Sequence, residues 1–216
     1  MRKLFLSILA IALIQTAQAQ KIKWESGDLD VLKGQTEVGV VINYPKDLQV
    51  SGTAEAEFLE ERRKTDNEEK AASGDLYVEN WNKAKETKYI ASFCDHFTKA
   101  SKENIKATAG RGTAKYVIVL TPSNIDLGKG KFFGTKPALV DFDIRIENNT
   151  NPAEVAAHGT VEKVKGESTA PKGSRWIPGG VGTVMDVSAR SKNFDATNRV
   201  SESFELLAVV MGKKMR

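Results

Sequence analysis

The chain has 216 residues, with 32 Lys and Arg against 28 Asp and Glu, a formal charge of +4, two histidines and one cysteine. Taking Arg2 and Lys3 away with the leader described next leaves +2, an excess too small to argue for nucleic acid or an anionic membrane as the partner. A lone Cys94 excludes an intramolecular disulfide, so the fold must rest on its core, which a chain of this length can build.

Arg2 and Lys3 precede an apolar run over residues 4–14 and then Ala17-Gln18-Ala19. This is the pattern of a secretory signal peptide over residues 1–19, cleaved near Ala19. The run is too short to span a bilayer permanently, and no second run of membrane length follows. No cysteine ends it, so a lipid-anchored export signal is not supported. The expected product is an exported chain, periplasmic or secreted, with residues 20–216 forming one domain without internal repeat or linker.

Residues 35–44 (QTEVGVVINY) predict a strand ended by Pro45, able to lie beside the strand at 138–147. Thr53 is placed to N-cap a helix with Glu55 and Glu57 in its first turn and Phe58 and Leu59 on its apolar stripe. The mixed charges of residues 60–70, with Glu60 and Lys64 spaced i, i+4, describe a solvated face. Ser73-Gly74-Asp75 reads as a break, followed by a second helix over residues 79–102 whose stripe holds Trp81, Tyr89, Ile90, Phe93, Cys94 and Phe97. Residues 104–115 read as a connection, and Tyr116 to Leu120 (YVIVL) as a buried central strand.

After a long loop over residues 121–137 comes the plainest segment. Val140, Phe142, Ile144 and Ile146 alternate with Asp141, Asp143, Arg145 and Glu147, the period of a half-buried strand. A polar loop at residues 148–153 and a further strand at 154–163 predict a hairpin. Matching the apolar faces sets Glu147 opposite Glu154, Ile144 opposite Ala157, Phe142 opposite Gly159 and Val140 opposite Val161, with Asp143 facing His158 on the polar side. In that register Phe142 would cover the bare backbone of Gly159. Residues 165–182 are rich in Gly, Pro and Ser and predict a loop. A last helix starts near Thr197 or Asn198, carries Val200, Phe204, Leu207, Ala208 and Met211 on one stripe, and has Gly212 as its stop. Together these elements predict an α+β fold, a mixed and largely antiparallel sheet with helices packed against it, or alternatively a three-layer α/β/α arrangement.

The chemistries tested fail one by one. Cys94, Asp95, His96 and His158 are possible metal ligands, but Cys94 and His96 stand two apart on a helix, about 200° around its axis, and cannot reach one ion. There is no G-x-S-x-G nucleophile turn, and no serine or cysteine is placed to use an Asp143 and His158 pair. Asp141 and Asp143 share one side of a strand, the spacing some metal-dependent enzymes use, but any charged, alternating strand produces it. The loop over 128–136 has Thr135 before Lys136 and a strand after it, which is not a phosphate-binding loop. No cofactor is implied. Two loops combine bases with aromatics, namely Lys129, Lys131, Phe132 and Phe133, and Lys172, Arg175 and Trp176, a composition that binding surfaces use for protein, glycan or lipid headgroup.

The order of elements also carries a resemblance. Tyr116 to Leu120 after a long helix, the hairpin between Val140 and Val161, Gly179-Gly180, and Glu205-Leu206-Leu207 in a closing helix resemble a bacterial envelope domain over residues 114–212. That domain occurs in the curli-secretion lipoprotein and in lipoprotein activators of penicillin-binding proteins. The resemblance implies a mixed sheet flanked by helices and a non-enzymatic role in assembly or interaction. This chain lacks the anchoring cysteine of those lipoproteins. The expectation is therefore an exported, non-catalytic envelope protein that contacts a protein or envelope polymer through its basic and aromatic loops. The alternatives are a metal-dependent hydrolase using Asp141, Asp143 and His158, and a small-ligand carrier with a closed apolar cavity between helices and sheet.

Overall fold

The computed structural model describes residues 21–129, 136–166 and 195–216. The expected signal peptide, and with it Lys131, Phe132, Phe133, Lys172, Arg175 and Trp176, lies outside these residues.

The elements in chain order are β1 (Lys23–Ser26), a 3-10 turn (Leu29–Leu32), β2 (Glu37–Ile42), β3 (Gln49–Val50), β4 (Thr53–Ala54), α1 (Glu55–Glu69) and α2 (Ser73–Lys83). A π-helical turn (Ala84–Lys88) joins α2 to α3 (Tyr89–Ala100). Then follow β5 (Lys106–Ala109), β6 (Tyr116–Asp126), β7 (Leu139–Asn148), β8 (Asn151–Lys165) and α4 (Ala196–Lys213). The sheet runs β1-β8-β7-β6-β2-β5, with β3 on β6 and β4 on β3. β2 is parallel to β5 and β6, while β6, β7, β8 and β1 are antiparallel in turn. The fold is α+β with a mixed, mostly antiparallel eight-stranded sheet.

Alternation on β7 positions the core. Val140, Phe142, Ile144 and Ile146 are buried and join Ile118 and Leu120 of β6 under α3 and α4 in one contiguous cluster. Phe204 of α4 meets Phe142 edge-on at 4.9 Å and stacks on Tyr89 of α3 at 5.0 Å, so β7, α3 and α4 share one aromatic column. Gly212 lets α3 and α4 approach, because a Cβ there would stand 2.6 Å from the Phe97 carbonyl oxygen. It is a contact inside the helix, which runs on to Lys213, and not the stop expected from sequence.

Other expectations are corrected in the same physical terms. β6 lies between β2 and β7, so the strand at 35–44 does not border the strand at 138–147. Thr53 belongs to β4, and α1 begins at Glu55 without a side-chain cap. Glu55 is instead held by Trp81 Nε1 at 2.6 Å and by Lys85 Nζ at 2.6 and 2.7 Å, with the Lys85 ammonium 4.5 Å from the Tyr44 ring centre. On the exposed face of α1 the ion pairs are Arg62 to Asp66 and Arg63 to Glu60. Ser73-Gly74-Asp75 opens α2 rather than breaking a helix. Gly74 is there because a Cβ would lie 2.1 Å from the Arg63 carbonyl oxygen of α1. The connection at 104–115 contains β5, and YVIVL is only the first half of an eleven-residue strand.

The hairpin exists, but its register differs by two residues from the expected one. Ile144 faces Gly159, Arg145 faces His158, Ile146 faces Ala157, and Phe142 faces Val161. The turn is Asn149-Thr150 alone, and the ladder is irregular between Asn148 and Glu147, where Pro152 has no N–H to offer. Near the far end Lys163, at φ 53°, forms a bulge opposite Asp141. Gly159 is covered by the Trp24 ring of β1, not by Phe142.

Replacing Gly212 with Ala is expected to destabilise the protein by roughly 1–3 kcal/mol, since backbone and Ala100 must both yield. A denaturant midpoint equal to that of the wild type would show that α3 and α4 do not cross there.

Candidate functional site

Two places were singled out by the sequence, and the strand geometry positions both. The first is the polar face of β7 and β8. His158 and Asp143 do point to the same side, with His158 Nε2 at 2.5 Å from Asp143 Oδ2. Two residues that sequence reasoning missed complete the group. Glu25 of β1 reaches His158 Nδ1 at 3.2 Å, and Arg145 Nε stands 3.3 Å from Asp143 Oδ1. Asp141 is separate, because its two oxygens accept from the Lys163 backbone N–H at 2.6 Å and from Asn124 Nδ2 at 3.1 Å. Among the described residues no group of three or more His, Cys, Asp or Glu side chains is arranged to hold a metal ion. Both ring nitrogens of His158 thus have a carboxylate oxygen within 3.2 Å. Cys94 is buried in the core with its thiol pushed up to about 11 by burial. His96, on the outer side of α3, turns Nδ1 to the Ser92 carbonyl oxygen at 2.9 Å.

The second place is the end of the sheet where β6 stops and β7 starts. Lys129 and Lys136 pair as an antiparallel bridge, with backbone N–H to carbonyl distances of 3.1 and 2.8 Å. Gly128 before them has φ +63°, and a Cβ there would be 2.3 Å from two carbonyl oxygens, so the approach admits only glycine. Lys165 faces Leu139, and Gly166 N–H bonds the Ala138 carbonyl at 3.1 Å. Gly166 also lies against the first turns of α4, a Cβ there being 2.5 Å from the Arg199 carbonyl oxygen. Asp195 caps α4, its Oδ1 accepting from the Thr197 backbone N–H at 2.8 Å. The described residues that flank the two basic and aromatic stretches, Lys129 and Lys136 for one and Gly166 and Asp195 for the other, therefore lie at one end of the sheet.

That end borders a cleft of about 560 Å³ between α1, α2 and the start of α4, lined among others by Phe58, Arg62, Tyr77, Leu127, Asp195 and Arg199. Arg199 is 5% exposed and donates through Nε to the Leu127 carbonyl at 2.9 Å. Burial lowers its pKa. Arg62 sits 5.1 Å over the Tyr77 ring and pairs with Asp66 at 2.7 Å. The cleft had no sequence signal, because its lining comes from four separated segments of ordinary composition. Beside it, Glu202 has a buried Oε2 with no hydrogen-bond partner. Burial first, and then the neighbouring Glu205, push its pKa up to about 7 against the opposing charges of Arg199 and Lys88.

No protein-family profile matches the chain, and no curated protein matches it. Two solved structures are similar to it over 85% of its length and 96% of theirs. One is a PelC dodecamer from Paraburkholderia phytofirmans, at 12% identity and a TM-score of 0.28. The other is a point variant of the same assembly, at 11% identity and a TM-score of 0.30. At those scores neither likeness carries an argument. No described helix is long and apolar enough to cross a membrane.

A double-mutant cycle on Asp143→Asn and His158→Gln, followed by denaturant unfolding, is expected to give a coupling of roughly 0.5–1 kcal/mol, the size of a half-exposed cross-strand pair. Zero coupling would dissolve the network. For Glu202, whose pKa rises on folding from 4.5 to about 7, the folded state binds the extra proton. Stability is therefore full below about 4.5 and falls as pH rises to about 7, by at most ~3 kcal/mol and less with solvent screening. Glu202→Gln should melt higher than the wild type at pH 8, with the two melting temperatures converging toward pH 4. Parallel curves would remove the assignment.

Proposed function

We propose that the chain is exported, is cleaved near Ala19, and works as a single non-catalytic domain over residues 20–216 that contacts a protein or polymer of the cell envelope. The contact is assigned to Lys129, Lys131, Phe132, Phe133, Lys172, Arg175 and Trp176. The observation that carries this reading is the convergence of both loops on one end, fixed by the Lys129–Lys136 bridge at one foot and by Gly166 and Asp195 at the other. Loops that leave a rigid scaffold side by side form one surface from two pieces of sequence. The pattern of residues 114–212, which resembles an envelope domain, supports the same reading.

The hydrolase reading keeps one observation in its favour, the short Asp143 to His158 contact. Against it, His158 has a carboxylate at each nitrogen and Asp141 is committed to backbone and Asn124. The two readings are separated by co-sedimentation with an envelope fraction. Asp143→Asn and His158→Ala should bind like the wild type, while Trp176→Ala should lose most of the binding. Loss with the first two variants and none with the third would reverse the assignment.

A further inference from the structure

Leu76 and Val155 are the large apolar side chains that stand exposed among the described residues, at 55% and 41%. Val155 is near the β7–β8 turn, whereas Leu76 borders the cleft between α1, α2 and the start of α4, where Phe58, Tyr77 and Leu127 extend the apolar surface. Four charged side chains line the same cleft, Arg62 and Arg199 against Asp66 and Asp195, so its charge is balanced. Arg199 holds the Leu127 carbonyl, and Asp66 accepts from Arg62. The other two have hydrogen-bonding capacity to spare. Arg62 reaches Asp66 through Nε, and its two terminal nitrogens make no hydrogen bond among the described residues. Asp195 accepts from Thr197 through Oδ1, which leaves Oδ2 open. Tyr77 lies close to both, with Arg62 over its ring and a hydroxyl that makes no hydrogen bond among the described residues. Burial raises the Tyr77 pKa, and Arg62, Asp195, Asp66 and Arg199 each act on it, which puts the phenol among the four charges.

We propose that this cleft binds a small zwitterion with an apolar side chain, of which an apolar α-amino acid is the simplest example. Its carboxylate goes to the terminal nitrogens of Arg62, its ammonium to Asp195 Oδ2, and its side chain against Leu76, Tyr77 and Phe58. The site is separate from the envelope-binding reading and uses none of the residues assigned to that contact. Charge decides the class of ligand. A lining of two cations and two anions gives no net attraction to either sign, and a ligand with one charge would leave either Arg62 or Asp195 without a counterpart in a partly dry site. A zwitterion answers both groups at once, through charge-assisted hydrogen bonds about twice as strong as neutral ones. The apolar wall decides its side chain, because a wholly polar zwitterion would leave Leu76 and its neighbours facing water. At about 560 Å³ the cleft falls in the size range of small-molecule sites.

The test is isothermal titration of the purified chain with L-phenylalanine, phenethylamine and phenylpropionate, which share a ring and differ in the charges they keep. L-phenylalanine should bind roughly tenfold or more tightly than either single-charge analogue, a comparison that needs no variant. Arg62→Gln should weaken phenylalanine about tenfold and leave phenethylamine unchanged. Asp195→Asn keeps a side-chain oxygen to cap α4, so the fold is retained. It should weaken phenylalanine about as much and leave phenylpropionate unchanged. Leu76→Ser, at an exposed position, should weaken all three ligands roughly threefold or more without lowering the melting temperature. Equal binding of the three ligands would reduce the cleft to an apolar slot and overturn the proposal. So would the absence of any binding of L-phenylalanine at millimolar concentration, or phenylalanine binding that neither charge variant alters.

Discussion

Phe204 lies between Phe142 and Tyr89, all three buried, and that column is where sheet, α4 and α3 are made into one body. Each ring belongs to a different element, so none could be exchanged for a smaller side chain without opening a cavity where the three meet. A buried phenyl reduced to alanine typically costs about 3–5 kcal/mol. The Tyr89 hydroxyl makes no hydrogen bond, and burial raises its pKa far above the usual phenol range. The packing gain of the ring therefore outweighs the cost of an unsatisfied polar atom, about 1–3 kcal/mol. From this column the rest follows. α3 is aligned along the sheet, Gly212 and Phe97 set how near α4 comes, and α4 in turn places Asp195 and Arg199 at the end where the loops converge.

Much of this was legible because side-chain periodicity is a direct image of burial. The alternation of Val140 through Glu147 and the stripes of Tyr89, Phe93 and Phe97 and of Val200, Phe204 and Leu207 each correspond to buried faces. What periodicity cannot register is a slip of two residues, since it leaves every side chain on its own face. The hairpin register was misjudged by that amount, and Asp143 and His158 still met. Glycine was the second source of error. Gly74 and Gly212 look like helix breakers in sequence, yet each marks a place where another helix backbone comes within contact of the missing Cβ. Only the partner distinguishes these two uses, and the partner is remote in sequence.

The candidate site divides the same way. Net charge, summed over the chain, does not register which segments lie side by side. A surface is defined by which residues are neighbours, and here Lys129 with Lys136, and Ala138 and Leu139 with Lys165 and Gly166, are neighbours that no local pattern connects. The cleft beside Arg199 was invisible for the same reason.

The polar face of β7 and β8 holds the side chains that most resemble an active site, but their placement has a structural cause. β1 is an edge strand with only Lys23, Trp24 and Ser26 paired to β8, so its backbone alone holds it weakly. Its Trp24 nevertheless has to stay over Gly159 to seal the core. His158, the residue next to Gly159 on β8, lies between Glu25 of β1 and Asp143 of β7 and ties that edge strand to the second strand inward. The lysines at the loop end show no such commitment. Lys136 and Lys165 are exposed, and the bridge and ladder contacts there are made by backbone atoms, so their charge is not needed for the fold. Charge that the fold does not use is what separates this end of the sheet from the face around His158, where each charged group has a structural role.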